Sequence, residues 1–436
     1  MLRFLARPAT RMMERYLPDA FIFVIVLTLV AGLAAVLTQP VTPMQVIVAW
    51  GDGFWRLLEF AMQMLLVLVS GYIMATTPVV RSLLDRLAGL AASPAGAIVL
   101  VSLVSLVASW INWGFGLVVG ALFAKALARR VRVDYRLLIA SAYSGFVIWH
   151  GGLSGSIPLT VSTPGHFTEE VIGLIPTSLT TFAGYNLMIC AALFVAIPLV
   201  NYLMMPRPDE TVLVDPAKLT EEDPHAEPAR TPAEALERSP ILLWAVAVPG
   251  LIWLAQHFIT KGAVLNLNVV NFLFLFTGIA LHRSPRSLLA ALDEGVRGGA
   301  GIVIQFPFYA GIMAIMTQTG LAAALSEWFV SFSTAQTLPF WSFISAGIVN
   351  IFVPSGGGQW AVQAPVVEAA AQALQADMPR VVMAVAWGDA WTNLLQPFWA
   401  LPMLGIAGLK PRDIMGFCLI QLVVTGTIIG LGLLYL

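Results

Sequence analysis

Apolar runs of helical length alternate with short clusters of charge along this chain, at 20–37, 60–74, 137–149, 179–200, 241–259, 267–281, 301–316 and 414–436. A membrane-crossing helix needs roughly 20 apolar residues, and weakly polar flanks bring the shorter runs to that length. Two further apolar stretches, 94–129 and 339–377, are each interrupted by a polar tip. The first tip is Asn112-Trp-Gly-Phe-Gly116 and the second Pro354-Ser-Gly-Gly-Gly-Gln359, just beyond Asn350. Segments 136–164 and 380–409 are broken internally, at His150-Gly-Gly-Leu-Ser-Gly-Ser156 and at Gly388-Asp389-Ala-Trp-Thr-Asn-Leu-Leu-Gln-Pro397. Between the first two runs, 44–58 sets Val46, Ile47, Trp50, Phe54 and Leu57 on one face. That spacing predicts an interfacial helix anchored by Trp50 and Trp55.

Charge orients these elements. Lys and Arg fall in clusters at 3–15, 81–86, 125–136, 207–238, 283–297 and 410–412, leaving only Arg56, Lys261 and Arg380 outside them. Cytoplasmic loops carry the excess of Lys and Arg, so the map puts the N-terminus inside and the C-terminus outside. On that map 94–129 starts and ends on the cytoplasmic side and reads as a re-entrant helical hairpin. Its counterpart 339–377 enters from outside.

The order of features occurs twice. Pro43, Ala49, Gly53 and Gln63 recur in register as Pro285, Ala291, Gly295 and Gln305, and Arg136 and Pro158 as Arg380 and Pro402. Opposite orientation of the two copies predicts inverted-topology repeats. The expected organisation is a cytoplasmic N-terminal segment (1–19), repeat one (20–205), a linker (206–239), a connecting transmembrane helix (240–260) and repeat two (261–436). The linker, rich in proline and acidic residues, buries too little apolar surface to fold and is expected to be disordered. The fold class is therefore an all-α polytopic membrane protein with about nine spans and two hairpins.

Composition agrees: 58% of the 436 residues are apolar and 11% charged, too few to cover a soluble surface. A net charge of −1 suits no polyanion, so no nucleic-acid partner is expected. Cys190 and Cys418 lie singly in apolar runs and read as packing residues. The chain has no P-loop, nucleophile elbow or metal-ligand spacing. No cofactor, no resident metal and no enzymatic activity are expected, and ATP is not the direct energy source.

Function is expected at the breaks. Lipid offers no hydrogen bonds, so irregular backbone at membrane depth survives only in protein or beside a watery cavity. Half-helix N-termini favour a carboxylate, and exposed carbonyls favour a cation, Na⁺ at the hairpin tips being the candidate. The candidate residues of the first half are Asn112, Gly116, His150, Gly151, Gly152, Ser154 and Ser156. Those of the second are Asn350, Ser355, Gly356, Gly357, Gly358, Gln359, Asp389, Thr392, Asn393 and Gln396. An acid at mid-membrane costs about 2.5–3.5 kcal/mol on insertion scales, so Asp389 is expected to carry an ion or to pair with Arg380. Glu368 is expected to be solvated at a hairpin mouth. No Lys or Arg stands at a tip, which favours a monocarboxylate, with Trp360, Phe398 and Trp399 sheltering its tail.

At His150-Gly-Gly-Leu-Ser-Gly-Ser-Ile-Pro-Leu-Thr160, Val353-Pro-Ser-Gly-Gly-Gly-Gln-Trp360 and Trp387-Gly-Asp-Ala-Trp-Thr-Asn-Leu-Leu-Gln-Pro-Phe398 the chain resembles the short-chain fatty acid transporter family. The resemblance runs over essentially the whole length. It implies a bacterial inner-membrane secondary carrier of butyrate- or acetoacetate-like acids, coupled to H⁺ or Na⁺. That family is similar to the wider ion transporter superfamily, which implies a homodimer in lipid working by an elevator motion. The superfamily pattern groups Asn112 and Gly116 with 151–154 as one half-site, and Asn350 and 355–358 with Thr392 and Asn393 as the other. The Ser-Asn-Thr signature of its dicarboxylate branch is absent from both tips. An ion antiporter of the same architecture, using Asp389 and no organic substrate, is the alternative expectation.

Overall fold

Several helices in this protein start where a hydroxyl side chain precedes proline. Thr42, Thr77, Ser93 and Ser284 each cap a helix that opens on Pro43, Pro78, Pro94 or Pro285. The hydroxyl oxygen accepts a first-turn N–H that has no helical partner, and proline gives up nothing at that position. The computed structural model describes residues 20–215, 219, 231–262 and 264–436, and among these every regular element is helical. The expected N-terminal segment 1–19 and most of the expected linker's centre lie outside the described residues.

The first half runs through α1 (Ala20–Thr38), α2 (Pro43–Gly53), α3 (Leu58–Ala75) and α4 (Pro78–Ala88). The hairpin α5 (Pro94–Ile111) and α6 (Trp113–Arg130) follows, then α7 (Tyr135–Ser144), a 3₁₀ stretch (Gly145–Gly151), α8 (Ser156–Val161) and α9 (Gly184–Leu203). α10 (Pro240–Lys261) connects the halves. The second half repeats the order as α11 (Leu267–Leu281), α12 (Pro285–Gly298), α13 (Ala300–Gln318) and α14 (Leu321–Phe332). It continues with the hairpin α15 (Leu338–Val349) and α16 (Gly356–Leu374), then α17 (Met378–Thr392), a 3₁₀ turn (Asn393–Leu395), α18 (Pro397–Ala407) and α19 (Pro411–Tyr435).

Eight helical segments among the described residues are long and apolar enough to cross a membrane, so this is a multi-pass membrane protein. Nearly all residues of the broken segment Tyr135–Val161 are buried within the protein, whereas only 17% of those in Phe21–Thr38 are, so that helix faces mostly outward.

The halves interlock. α2 packs on α13, and α12 packs on α3, so each amphipathic helix seats on a spanning helix of the other half. A Cβ on Gly53 would collide with Ala314, and one on Gly295 would come within 3.3 Å of the Val69 backbone. These contacts explain why glycine recurs in register, because close helix crossings need small residues. The buried face of α2 is Val46, Ala49 and Gly53, while Ile47 is exposed. Trp50 packs against Phe308 and Gly311, and only Trp55 is exposed as an anchor should be. Within each half, α5 crosses the 3₁₀ stretch at Gly145 and α15 crosses α17 at Gly388.

Two boundaries differ from expectation. Asn186 donates to the carbonyls of Thr181 (2.7 Å) and Gly151 (3.0 Å), and α9 starts at Gly184 rather than five residues earlier. The first edge of the linker is docked: Val212 N–H donates to Asp134 Oδ2 (2.9 Å) and its carbonyl accepts from Tyr135 N–H (2.9 Å). Its far edge carries a short helix, Pro232–Glu237, capped by Thr231.

Candidate functional site

The first hairpin tip contracts to one residue. Asn112 ends α5 and caps α6, its Oδ1 accepting from Phe115 N–H at 2.9 Å. Gly114 and Gly116 therefore lie inside α6, and a Cβ on Gly116 would press into the Ser109 backbone. Trp113 N–H donates to Ser154 Oγ (2.8 Å) and Leu153 N–H to the Trp110 carbonyl (2.7 Å), which fastens this tip to the break in its own half. Gly152 is the close-approach point of that junction, against the Trp110 carbonyl group.

The second tip is longer, residues 350–355, and again the glycines belong to the helix. Ser355 caps α16 through Gly358 N–H at 3.4 Å, and Gly356, Gly357 and Gly358 form its first turn. Their missing side chains admit other groups: His150 and Ser156 against Gly356, Phe60 against Gly357, Tyr309 against Gly358. Gln359 donates to the Ala346 carbonyl (2.9 Å) and to Gln363 Oε1 (3.0 Å), tying the two hairpin arms together.

The second break is gathered around Asn350. Its amide donates to the Asp389 carbonyl (2.7 Å), Thr392 Oγ1 (2.9 Å) and Asn393 Oδ1 (2.9 Å). Gln396 donates to the Asn350 carbonyl, and Tyr143 from the first half donates to the Asn393 carbonyl at 2.6 Å.

At the centre the halves meet through a buried histidine and a buried acid. His150 Nε2 lies 3.0 Å from Asp389 Oδ2, both side chains wholly buried. Asn393 donates to the same carboxylate oxygen at 3.4 Å. Burying a carboxylate is costly unless it is paired and hydrogen-bonded, and this pairing meets that need for Oδ2. The Arg380 expected as partner instead lies over the Tyr185 ring, 5.0 Å from its centroid. Oδ1 of Asp389, Oδ1 of Asn350 and Oε1 of Gln396 are buried without a hydrogen-bond partner.

A narrow cavity of about 30 Å³ opens in front of Gly356. The first half lines it with Met64, Trp113, Trp149 and Ser156. The second supplies Ile302, Gln305 and Phe306 from α13, the tip residues Pro354, Ser355, Gly356 and Gly357, and Trp399. Tyr309 donates to Gln305 Oε1 at 3.2 Å and fixes that amide.

Of the residues singled out in the sequence, Ser156, Ser355, Gly356 and Gly357 line this cavity, and the His150–Asp389 pair lies behind Gly356. Asn112, Gly116 and Ser154 hold the first tip, while Asn350, Thr392, Asn393 and Gln396 hold the second. Gly151 packs against the Trp387 ring. Trp360, expected to shelter a tail, is wholly buried away from the cavity lining, whereas Trp399 lines it; the Phe398 side chain is outside the described residues. Glu368 is buried rather than solvated, in hydrogen-bonding reach of Thr168, because the chain after α8 folds over α16. Met64, Trp149 and Gln305 escaped the sequence reading as site residues, and Trp113 entered it only as part of the first tip. Tryptophans and an isolated glutamine inside apolar runs look like packing, and only the register of Gln63 with Gln305 drew attention to the last. Among the described residues no His, Cys, Asp and Glu cluster could hold a metal.

The sequence profile of the family described as "Short chain fatty acid transporter" matches residues 1–436. The chain belongs to that family. A protein of Escherichia coli (strain K12), provisionally named a short-chain fatty acid transporter, is 45% identical over 433 residues, covering 98% of both chains. One of Haemophilus influenzae (strain ATCC 51907 / DSM 11121 / KW20 / Rd), with the same name, is 44% identical over 448 residues, covering 100% of both. In fold this family member is similar to the Alcanivorax borkumensis YdaH transporter, at 16% identity and TM-score 0.54, over 95% of this chain and 98% of that one. It is also similar to Neisseria gonorrhoeae MtrF, described as an antimetabolite efflux pump, at 15% identity and TM-score 0.50, over 98% of this chain and 97% of that one.

Proposed function

We propose that this family member is a secondary carrier that imports butyrate- or acetoacetate-like monocarboxylates across the bacterial cytoplasmic membrane as an ion symporter. The observation that carries this reading is the narrow cavity between the second hairpin tip and α13, backed through Gly356 by a His–Asp pair that joins the two halves. A space of this size holds about one water, so a four-carbon acid enters only when the tips and the spanning helices part. Motion of the hairpins and broken helices past α3 and α13 is an elevator step. Two repeats of inverted orientation, with the N-terminus cytoplasmic, give that step its inward- and outward-facing ends. A homodimer would hold the spanning helices still.

The coupling ion on this reading is a proton shared by His150 and Asp389. Loading it removes charge from the buried centre, which makes crossing the membrane less costly. A second reading, Na⁺, rests on the unpartnered oxygens of Asp389, Asn350 and Gln396, which suit a cation.

The test is uptake of labelled butyrate and acetoacetate into proteoliposomes, with ΔpH, Na⁺ gradient and membrane potential clamped one at a time. We expect an inward proton gradient to drive accumulation, and Asp389→Asn to lose accumulation while keeping butyrate exchange. Accumulation driven by Na⁺ alone would transfer the coupling to the second reading. No saturable uptake of either acid under any gradient would sink the carrier reading in favour of ion antiport.

A further inference from the structure

Three hydrogen-bond donors around the cavity have no acceptor. Trp113 Nε1, Trp149 Nε1 and Ser156 Oγ are buried and unpartnered, on side chains exposed by only 3%, 1% and 2%. All three residues line the same cavity, and the two indole rings lie 5.8 Å apart. A buried donor left unpaired is unfavourable, and native proteins carry few of them. Three at one cavity mark a place where an acceptor is supplied from outside.

We propose that the two indole N–H groups and the Ser156 hydroxyl form a charge-free clamp for the substrate's carboxylate. This inference rests on the carrier reading and assigns the atoms that recognise the acid. An indole nitrogen donates and cannot accept, so the clamp favours a group with acceptors only. An ionised carboxylate offers two oxygens with about four acceptor sites, enough for all three donors. The first turn of α16, with Gly356 and Gly357 at the same cavity, adds the positive end of a helix dipole. No Lys or Arg lines the cavity, so nothing offsets a second negative charge, and a dicarboxylate is rejected. A neutral clamp also lets the acid leave, whereas a buried arginine would hold it in a tight ion pair.

The decisive variants are Trp113→Phe and Trp149→Phe, which keep a ring and delete the N–H, with Ser156→Ala as the variant least able to disturb folding. Each is assayed for butyrate uptake in proteoliposomes and for equilibrium binding of labelled butyrate to purified protein, with melting temperature as the folding control. We expect KM and Kd to rise roughly tenfold or more in each, the scale of one lost hydrogen bond to a charged group, while kcat stays within about twofold. Butyramide, which has the same tail and no carboxylate, is expected not to compete. Unchanged Kd in the Phe variants and in Ser156→Ala overturns the clamp, as does competition by butyramide equal to that of butyrate. Where a Phe variant fails to fold, Ser156→Ala decides. The two readings fail separately. Wild-type protein that binds butyrate without moving it refutes the carrier, and weakened binding by the variants then still supports the clamp. Wild-type transport with unaffected variants refutes the clamp alone.

Discussion

At the first hairpin tip Asn112 alone separates α5 from α6, whereas at the second the residues 350–355 separate α15 from α16. The first is closed by backbone N–H groups: Trp113 to Ser154, Leu153 to Trp110, Phe115 to Asn112. The second is closed mainly by side-chain amides, those of Asn350 and Gln396, and its outer residues Ile351 and Phe352 are exposed. A backbone N–H keeps the direction set by its helix, whereas an amide side chain can turn away from its acceptors. On this contrast we expect the first tip to act as an anchor and the second as a latch. The pseudo-equivalence that builds the site does not make its two halves interchangeable.

The sharpest way to break this comparison is a pair of glycine substitutions. Gly356→Ala puts a methyl group into His150 and Ser156 at the latch, and we expect uptake to fall roughly a hundredfold with the protein still in the membrane. Gly116→Ala puts the same methyl into the Ser109 backbone at the anchor, and there a lower yield and melting temperature are expected instead. If both variants lose uptake and keep stability, the two tips are alike and the contrast is wrong.

The paired asparagines give a smaller effect. Asn350→Ala removes three hydrogen bonds and should cost uptake about tenfold or more, because Asp389, Thr392 and Asn393 lose their common partner. Asn112→Ala removes one cap and should cost about 1 kcal/mol of stability, read from a melting curve, with little change in KM. Of similar size is Ser154→Ala, which takes the acceptor from Trp113 N–H: roughly 1 kcal/mol of stability and uptake within about twofold of wild type. A large transport defect there would move the first tip from anchor to gate.

How far the sequence was legible depends on the range of the signal. Spans, hairpins and breaks are local features, marked by apolar length and by Gly, Pro and Asn, and they fell where those residues stand. The glycine triplet misled, because a triplet looks like a loop until the cap at Ser355 is seen to start a helix on it. The pairing of His150 with Asp389 is hidden for a different reason. The two are 239 positions apart and break their helices at non-matching places in the repeat, so neither motif nor internal symmetry joins them. Glu368 looked solvated because a lone acid near a helix end usually is, and only the fold of the chain after α8 buries it. The tryptophan donors were invisible in principle, since a sequence shows that an indole is present but not that its N–H lacks an acceptor.

The exchange of α2 and α12 between the halves bears on how the protein is made. When the ribosome has released the first half, α2 has no seat, since α13 has yet to be synthesised. Until the chain is more than two-thirds complete, α1 and α2 lack their main packing partner, α13. A fragment ending in the linker should therefore decay quickly when expressed alone and persist when the remainder is supplied in trans, a difference that pulse-chase labelling would read directly.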